Sequence, residues 1–235
     1  MGAIFRREIK AYFTSPIAYI FIAVFYVYTG MYFVGTNIYS ATTDMTYVFS
    51  GVFTLMMIML PLLTMRLMSE EKKQKTDQCL LTAPVNLAAI VMGKFFAALC
   101  VFLIGMAIYI PYILVLYKLA GSIAWATVIG NMFALLLLGA SFISIGMLIS
   151  SLTENQIVAA IASFIVIMLF YMIDVLAASV SVDWLKNVMV SLGFYNRYYE
   201  FTNGIINIPS IVFFLSVTFI CNFLTVRVLE KRRWG

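Results

Sequence analysis

The 235-residue sequence contains no histidine, and only 11% of its residues are charged. Without imidazole, histidine-dependent metal binding and general-base chemistry are excluded. A phosphate-binding G-x-x-x-x-G-K loop is also missing: the one Gly-Lys pair, Gly93-Lys94, has alanine at position 88 where the first glycine is needed. The chain cannot hydrolyse ATP with a P-loop of its own, and it is read as not an enzyme. Its three cysteines, Cys79, Cys100 and Cys221, are odd in number and scattered, which fits neither a zinc site nor a disulfide framework. Of the ten Asp and Glu residues only Asp174 falls inside a long apolar run. Paired-carboxylate catalysis within a membrane, and proton- or sodium-coupled carriage, would need more than that. The first apolar run is too long for a cleavable signal peptide.

What the chain does have is apolar length. It is 64% hydrophobic and 16% aromatic, with a mean hydropathy of +1.03, more apolar surface than a soluble globule of this size can bury. The composition predicts an all-α membrane protein. A bilayer core about 30 Å thick takes roughly 20 residues of helix. Six runs satisfy that, at 17–35, 47–65, 95–117, 126–149, 157–179 and 209–229, within a single transmembrane domain over 1–235. Of 15 Lys and Arg residues all but Lys118, Lys186 and Arg197 fall on one side of the resulting topology. The positive-inside rule puts that side, with both termini, in the cytoplasm. The net charge of +5 is thereby sorted by membrane side, and no nucleic-acid partner is expected.

Three segments do not span. In 4–15, Phe5, Ile9, Tyr12 and Phe13 share a face opposite Arg6, Arg7 and Lys10, which predicts an amphipathic helix in the cytoplasmic interface. Ser15-Pro16 then ends it and starts the first span. In 180–208, Trp184, Leu185, Val188, Met189 and Leu192 share a face and Tyr195, Tyr198, Tyr199 and Phe201 follow. That outer loop is expected to be a short re-entrant helical hairpin, or to lie on the outer leaflet. The third is 66–84, "RLMSEEKKQKTDQCLLTAP", with seven charged residues: Arg66, Glu70, Glu71, Lys72, Lys73, Lys75 and Asp77. It is read as a short cytoplasmic helix stopped by Pro84. Its mixed charge suits a docking face and equally a solvated loop.

Smaller features carry less. In "SSLTENQ", Ser151…Glu154 and Thr153…Gln156 each fit a capping box. Ala140/Ser144, Gly146/Ser150 and Ala159/Ser163 recur at helix-packing spacing. Pro61 and Pro111 are expected to kink the second and third spans. The tail "EKRRWG" reads as an anchor to anionic membrane lipid. Asp174 is either a locally hydrogen-bonded acid or a polar lining of a substrate path. Tyr195, Tyr198 and Tyr199 are either core and interface residues or part of an outer gate.

The stretch "MRLMSEEKKQKTDQCLLTAPVNLAAIVMGKFFAA" resembles the coupling region of type-2 ABC exporter permeases through Arg66, Ser69, Glu70, Glu71, Lys72, Lys73, Thr76, Leu80, Leu81, Pro84, Val85, Gly93 and Lys94. "FRREIKAYFTSPIAYIFIAVF" and "YYEFTNGIINIPSIVFF" resemble the gliding-motility (GldF-like) branch of that family. The resemblance implies the type-2 ABC exporter fold, two permease subunits as homo- or heterodimer, and two separate ATPase subunits. The ATPase partners would carry ATP and Mg; this chain itself would hold no cofactor. A helix over Ser69 to Leu81 would sit in a groove of the ATPase, with Glu70 and Glu71 facing basic residues there and Glu154 as a second contact. The location implied is a prokaryotic inner membrane. Two other readings stay open: a structural or mechanical subunit of an envelope or motility complex, and an ATP-independent carrier.

Overall fold

In the computed structural model, described for residues 1–76, 86–120, 124–177, 179, 182–205 and 207–234, every regular element is helical and no strand occurs among the described residues. The elements are α1 (Gly2–Thr14), α2 (Pro16–Phe33), α3 (Thr46–Thr64), α4 (Arg66–Lys73), α5 (Leu87–Met106), α6 (Tyr109–Ala120), α7 (Trp125–Leu152), α8 (Gln156–Ala177), α9 (Asp183–Leu192), α10 (Tyr195–Thr202) and α11 (Ile208–Trp234). A single π turn, Val34–Ile38, extends α2.

Six helical stretches are long and apolar enough to cross a membrane: Pro16–Ile38, Thr46–Lys73, Leu87–Leu119, Trp125–Leu152, Gln156–Ala177 and Ile208–Arg233. They overlap the six apolar runs and mostly outreach them. Apolar side chains pointing all round suit helices that face lipid on one side and protein on the other. Over the apolar 18-residue core of each stretch, 67% is buried for the one containing α7 and 61% for the one containing α3, and no other exceeds 33%. These two helices are therefore the axis of the bundle. Small residues let neighbours close on that axis: a side chain at Gly139 would strike the Phe102 ring, and one at Gly146 would strike Thr64. Ser144 has a further role, accepting a hydrogen bond from the Asn222 amide at 3.0 Å and so tying α7 to α11.

The third span is not one helix. It breaks at Ala107–Ile108, one turn before Pro111. Proline has no N–H to give the carbonyl four residues back. The Ala107 carbonyl accepts from Ile110 at 3.1 Å instead, a tighter turn that separates α5 from α6. α3 by contrast continues through Pro61. Neither capping box in 151–156 forms. Ser151 belongs to α7, and the start of α8 is capped by Asn155, whose Oδ1 accepts from the Ile157 N–H at 2.9 Å. Ser15 likewise makes no cap bond at the start of α2; its hydroxyl is taken by Arg66.

The segment expected to form the outer loop contains two short helices, α9 and α10. At the other end α1 lies against α5, where Gly93 meets Ile4: a Cβ at Gly93 would stand 3.1 Å from the Ile4 side chain. The charged segment's helix is shorter than Ser69 to Leu81. α4 ends at Lys73, followed by Gln74 and by Lys75 in the left-handed region at φ 57°. Thr76 N–H bonds Glu71 C=O at 3.0 Å and Lys75 N–H bonds Lys72 C=O at 3.2 Å. That pair of bonds is the closure usual for a left-handed helix stop. Leu80, Leu81 and Pro84 lie outside the described residues.

Candidate coupling face

α4 follows α3 after the single turn residue Met65. No side chain at its own N-terminus caps it, so its first free N–H groups need partners from elsewhere. Ser150 of α7 supplies one. Its hydroxyl accepts from Met68 N–H at 3.2 Å and Ser69 N–H at 3.1 Å, and donates to Met65 C=O at 2.8 Å. The Ser69 hydroxyl also turns inward, onto the Met65 carbonyl, and Ser69 is fully buried.

A second anchor is ionic. Lys94 of α5 is 1% exposed. Its ammonium donates to Leu67 C=O at 2.6 Å and meets Glu8 Oε1 at 3.2 Å and Glu71 Oε2 at 3.0 Å. Three N–H donors thus have three acceptors, the condition for burying an ammonium. Arg7 closes the ring, bonding Glu8 Oε1 at 2.6 Å and also Glu71 Oε1. Burial opposes the charge on Glu8, but Lys94 and Arg7 outweigh it and hold the carboxyl below its ordinary pKa. For Arg7, too, burial opposes the charge, and Glu8 and Glu71 more than offset it, raising its pKa.

Arg66 makes the third tie. It reaches Ser15 Oγ at 2.6 Å and Glu70 Oε2 at 2.9 Å and lies over the Tyr12 ring, 5.7 Å from its centroid. Tyr12 donates to Leu63 C=O at 2.9 Å. So α1 is bonded both to the end of α3 and to α4.

The residues expected at a docking face therefore divide. Ser69 and Glu71 are committed to their own chain, and Glu70 pairs with Arg66. Lys72 bridges α4 and the connection between α7 and α8, donating to Leu152 C=O at 3.3 Å and lying 3.9 Å from Glu154 Oε1. Lys73, Thr76 and Glu154 are exposed, Glu154 to 65%. Sequence reasoning missed Glu8, Ser150 as a cap, and the depth at which Lys94 sits. One signal was available: Glu8 stands between Ile4 and Tyr12 at four-residue spacing, on the face that turns inward.

The expected gate residues sit at the other end. Asp174, 5% exposed, accepts from Tyr195 N–H and Asn196 Nδ2, both at 2.8 Å. It caps α10 from a different helix. Tyr198 is fully buried and donates to Phe49 C=O at 2.8 Å, beside the Phe53 ring. Tyr199 is exposed and stacks on Tyr195, with centroids 5.9 Å apart.

No curated protein matches the chain. A family model described as "ABC-2 family transporter protein" matches residues 21–190. Six membrane-length helices, a polar helix tied beneath three of them and a match over most of the sequence agree: the chain belongs to the ABC-2 transporter family, as its membrane component.

Proposed function

We propose that the chain is the permease subunit of an ATP-driven exporter whose ATPase is a separate protein docking under α4 and Glu154. The carrying observation is that α4 is fastened to three elements at once: to α7 through Ser150, and to α1 and α5 through Glu71, Lys94 and Glu8. A helix held this way passes a push into α3, α5 and α7 as one body. That is the behaviour a two-state rigid-body switch requires. A solvated loop would have no use for a buried lysine.

In this reading both termini and α4 are cytoplasmic, the site is a prokaryotic inner membrane, and a second permease copy or partner completes the path. ATP and Mg belong to the ATPase subunits. Lys73, Thr76 and Glu154 are the contact residues offered outward; Glu71 acts from inside, holding α4 in place. Asp174 positions α10, and Tyr195 and Tyr199 are the tyrosines exposed enough to line an outer gate.

The test is a mild-detergent pull-down of the tagged chain from its native membrane, with partners identified by mass spectrometry. A P-loop ATPase co-purifying in matched amount is the expected result. Recovery of the chain without an ATPase, under conditions that hold other ABC complexes together, overturns the reading.

A further inference from the structure

At the end of the bundle opposite α4, the starts of α3 and α7 and the end of α10 border a half-open cavity of about 360 Å³. That is the small end of the range for ligand pockets. Thr46, Thr127, Thr202, Asn203 and Asp44 line it, with Asn131 of α7. Asp44 is placed there by its neighbours. Its carboxylate accepts from Thr46 N–H at 2.9 Å, and its carbonyl accepts from the buried Asn37 amide at 2.9 Å.

Asn131 is the informative residue. It is fully buried, and neither its Nδ2 nor its Oδ1 has a hydrogen-bond partner. An amide buried without partners is costly, and native proteins seldom leave one so. Asn131 lines the cavity, so the cavity's occupant is the partner it can take.

We propose that this cavity binds an uncharged polyhydroxylated group of about hexose size. The lining selects that chemistry. Asn131 needs a group that both donates and accepts, which a hydroxyl does and an ammonium does not. An anion would meet Asp44 with no basic residue among the described lining. An apolar guest would leave both polar atoms of the Asn131 amide unpaired, although Thr46, Thr202 and Asn203 already bond within the chain. The group could be a free sugar or the headgroup of a glycolipid in the outer leaflet. The permease reading supplies only the membrane side on which the cavity opens.

The experiment uses the full chain in phospholipid nanodiscs and saturation-transfer-difference NMR with methyl glucoside. Saturable transfer is expected, and a sugar phosphate of the same ring should give none. Asn131→Leu should weaken binding by about tenfold or more, the loss of one buried pair of hydrogen bonds, while its melting temperature holds or rises. Thr127→Val, on the wall, is a second variant that should weaken binding without touching the core. Nanodiscs containing a monoglucosyl diacylglycerol separate the sources: competition with the free sugar assigns a lipid headgroup, and no competition assigns a soluble ligand. Absence of saturable transfer, or transfer unchanged in Asn131→Leu, overturns the proposal. Neither outcome depends on an ATPase partner, so the permease reading stands or falls separately.

Discussion

The Nζ of Lys94 lies 3.0 Å from Oε2 of Glu71, across the gap between α5 and α4. Lys94→Met would keep the length of the side chain and delete its charge. Glu8 and Glu71 would then face each other with only Arg7 between them. Removing one partner of a buried pair costs about 3–5 kcal/mol; with these two carboxylates partly exposed, about 2–4 kcal/mol is expected. Thermal unfolding in detergent measures it. Adding Glu8→Gln and Glu71→Gln to Lys94→Met should recover much of the loss, and a triple variant no better than the single would show that Lys94 acts by packing alone.

The same network sets a pH dependence. The folded Glu8 pKa lies below its ordinary value of 4.5, so the folded state binds the proton less readily than the unfolded chain. The stabilisation is complete above the unfolded value and is lost as pH falls through the lowered folded value. Wild type should exceed Glu8→Gln in melting temperature at about pH 7, and the difference should shrink steadily towards about pH 3. A difference that stays constant across that range would mean that Glu8 contributes through shape and not charge.

How much of this was legible follows from the kind of interaction concerned. Apolar run length is a local property, so the six helices long and apolar enough to cross a membrane could be read directly. The break before Pro111 was anticipated from the proline, which leaves the carbonyl four residues back without its helical donor; Pro61 carried the same signal, yet α3 continues through it. The capping boxes failed because a cap is a competition: Asn155, two residues nearer to α8 than Thr153, wins it. The site was less legible. Glu71 and Ser69 fit a docking pattern, yet the Ser69 hydroxyl turns onto the Met65 carbonyl and the Glu71 carboxylate onto Arg7, 64 positions away. Nothing local to Ser150 announces that it will cap a helix in another part of the chain.

Ser150→Ala tests that cap. Two N–H groups would lose an acceptor and Met65 C=O would lose one donor. Losing an N-cap oxygen costs about 0.5–2 kcal/mol, and the upper half of that range is expected here, since the site is buried. The local effect should be larger than the global one. Hydrogen exchange should rise at Met68 and Ser69 while α7 stays protected. Faster exchange throughout α7 would instead show that the alanine loosens helix packing.

Two of the three acidic residues that the sequence grouped as docking contacts, Glu71 and Glu154, should behave oppositely. Glu71→Lys would bring a third cation against Arg7 and Lys94, and should lower the melting temperature. Glu154→Lys alters an exposed group with one distant partner, worth no more than about 0.5 kcal/mol to the fold. If α4 and Glu154 form the ATPase contact, the latter variant should nevertheless lose its co-purifying ATPase. A Glu154→Lys chain that keeps its ATPase would remove Glu154 from the contact while leaving the inner network untouched.

Asp174→Asn separates a capping role from a path-lining role. The carboxylate accepts two hydrogen bonds from α10 and donates none. An amide keeps one accepting oxygen and turns an N–H₂ group towards a donor, so at least one bond is lost. Leaving a buried donor unpaired costs about 1–3 kcal/mol, and the cost falls on the seating of α10. Gly193 packs directly against this carboxyl, so the helix has little room to adjust. Limited proteolysis should cut the variant faster within residues 183–205, with cleavage elsewhere unchanged. If transport is lost while α10 resists protease as in the wild type, Asp174 lines the substrate path and the cap is incidental.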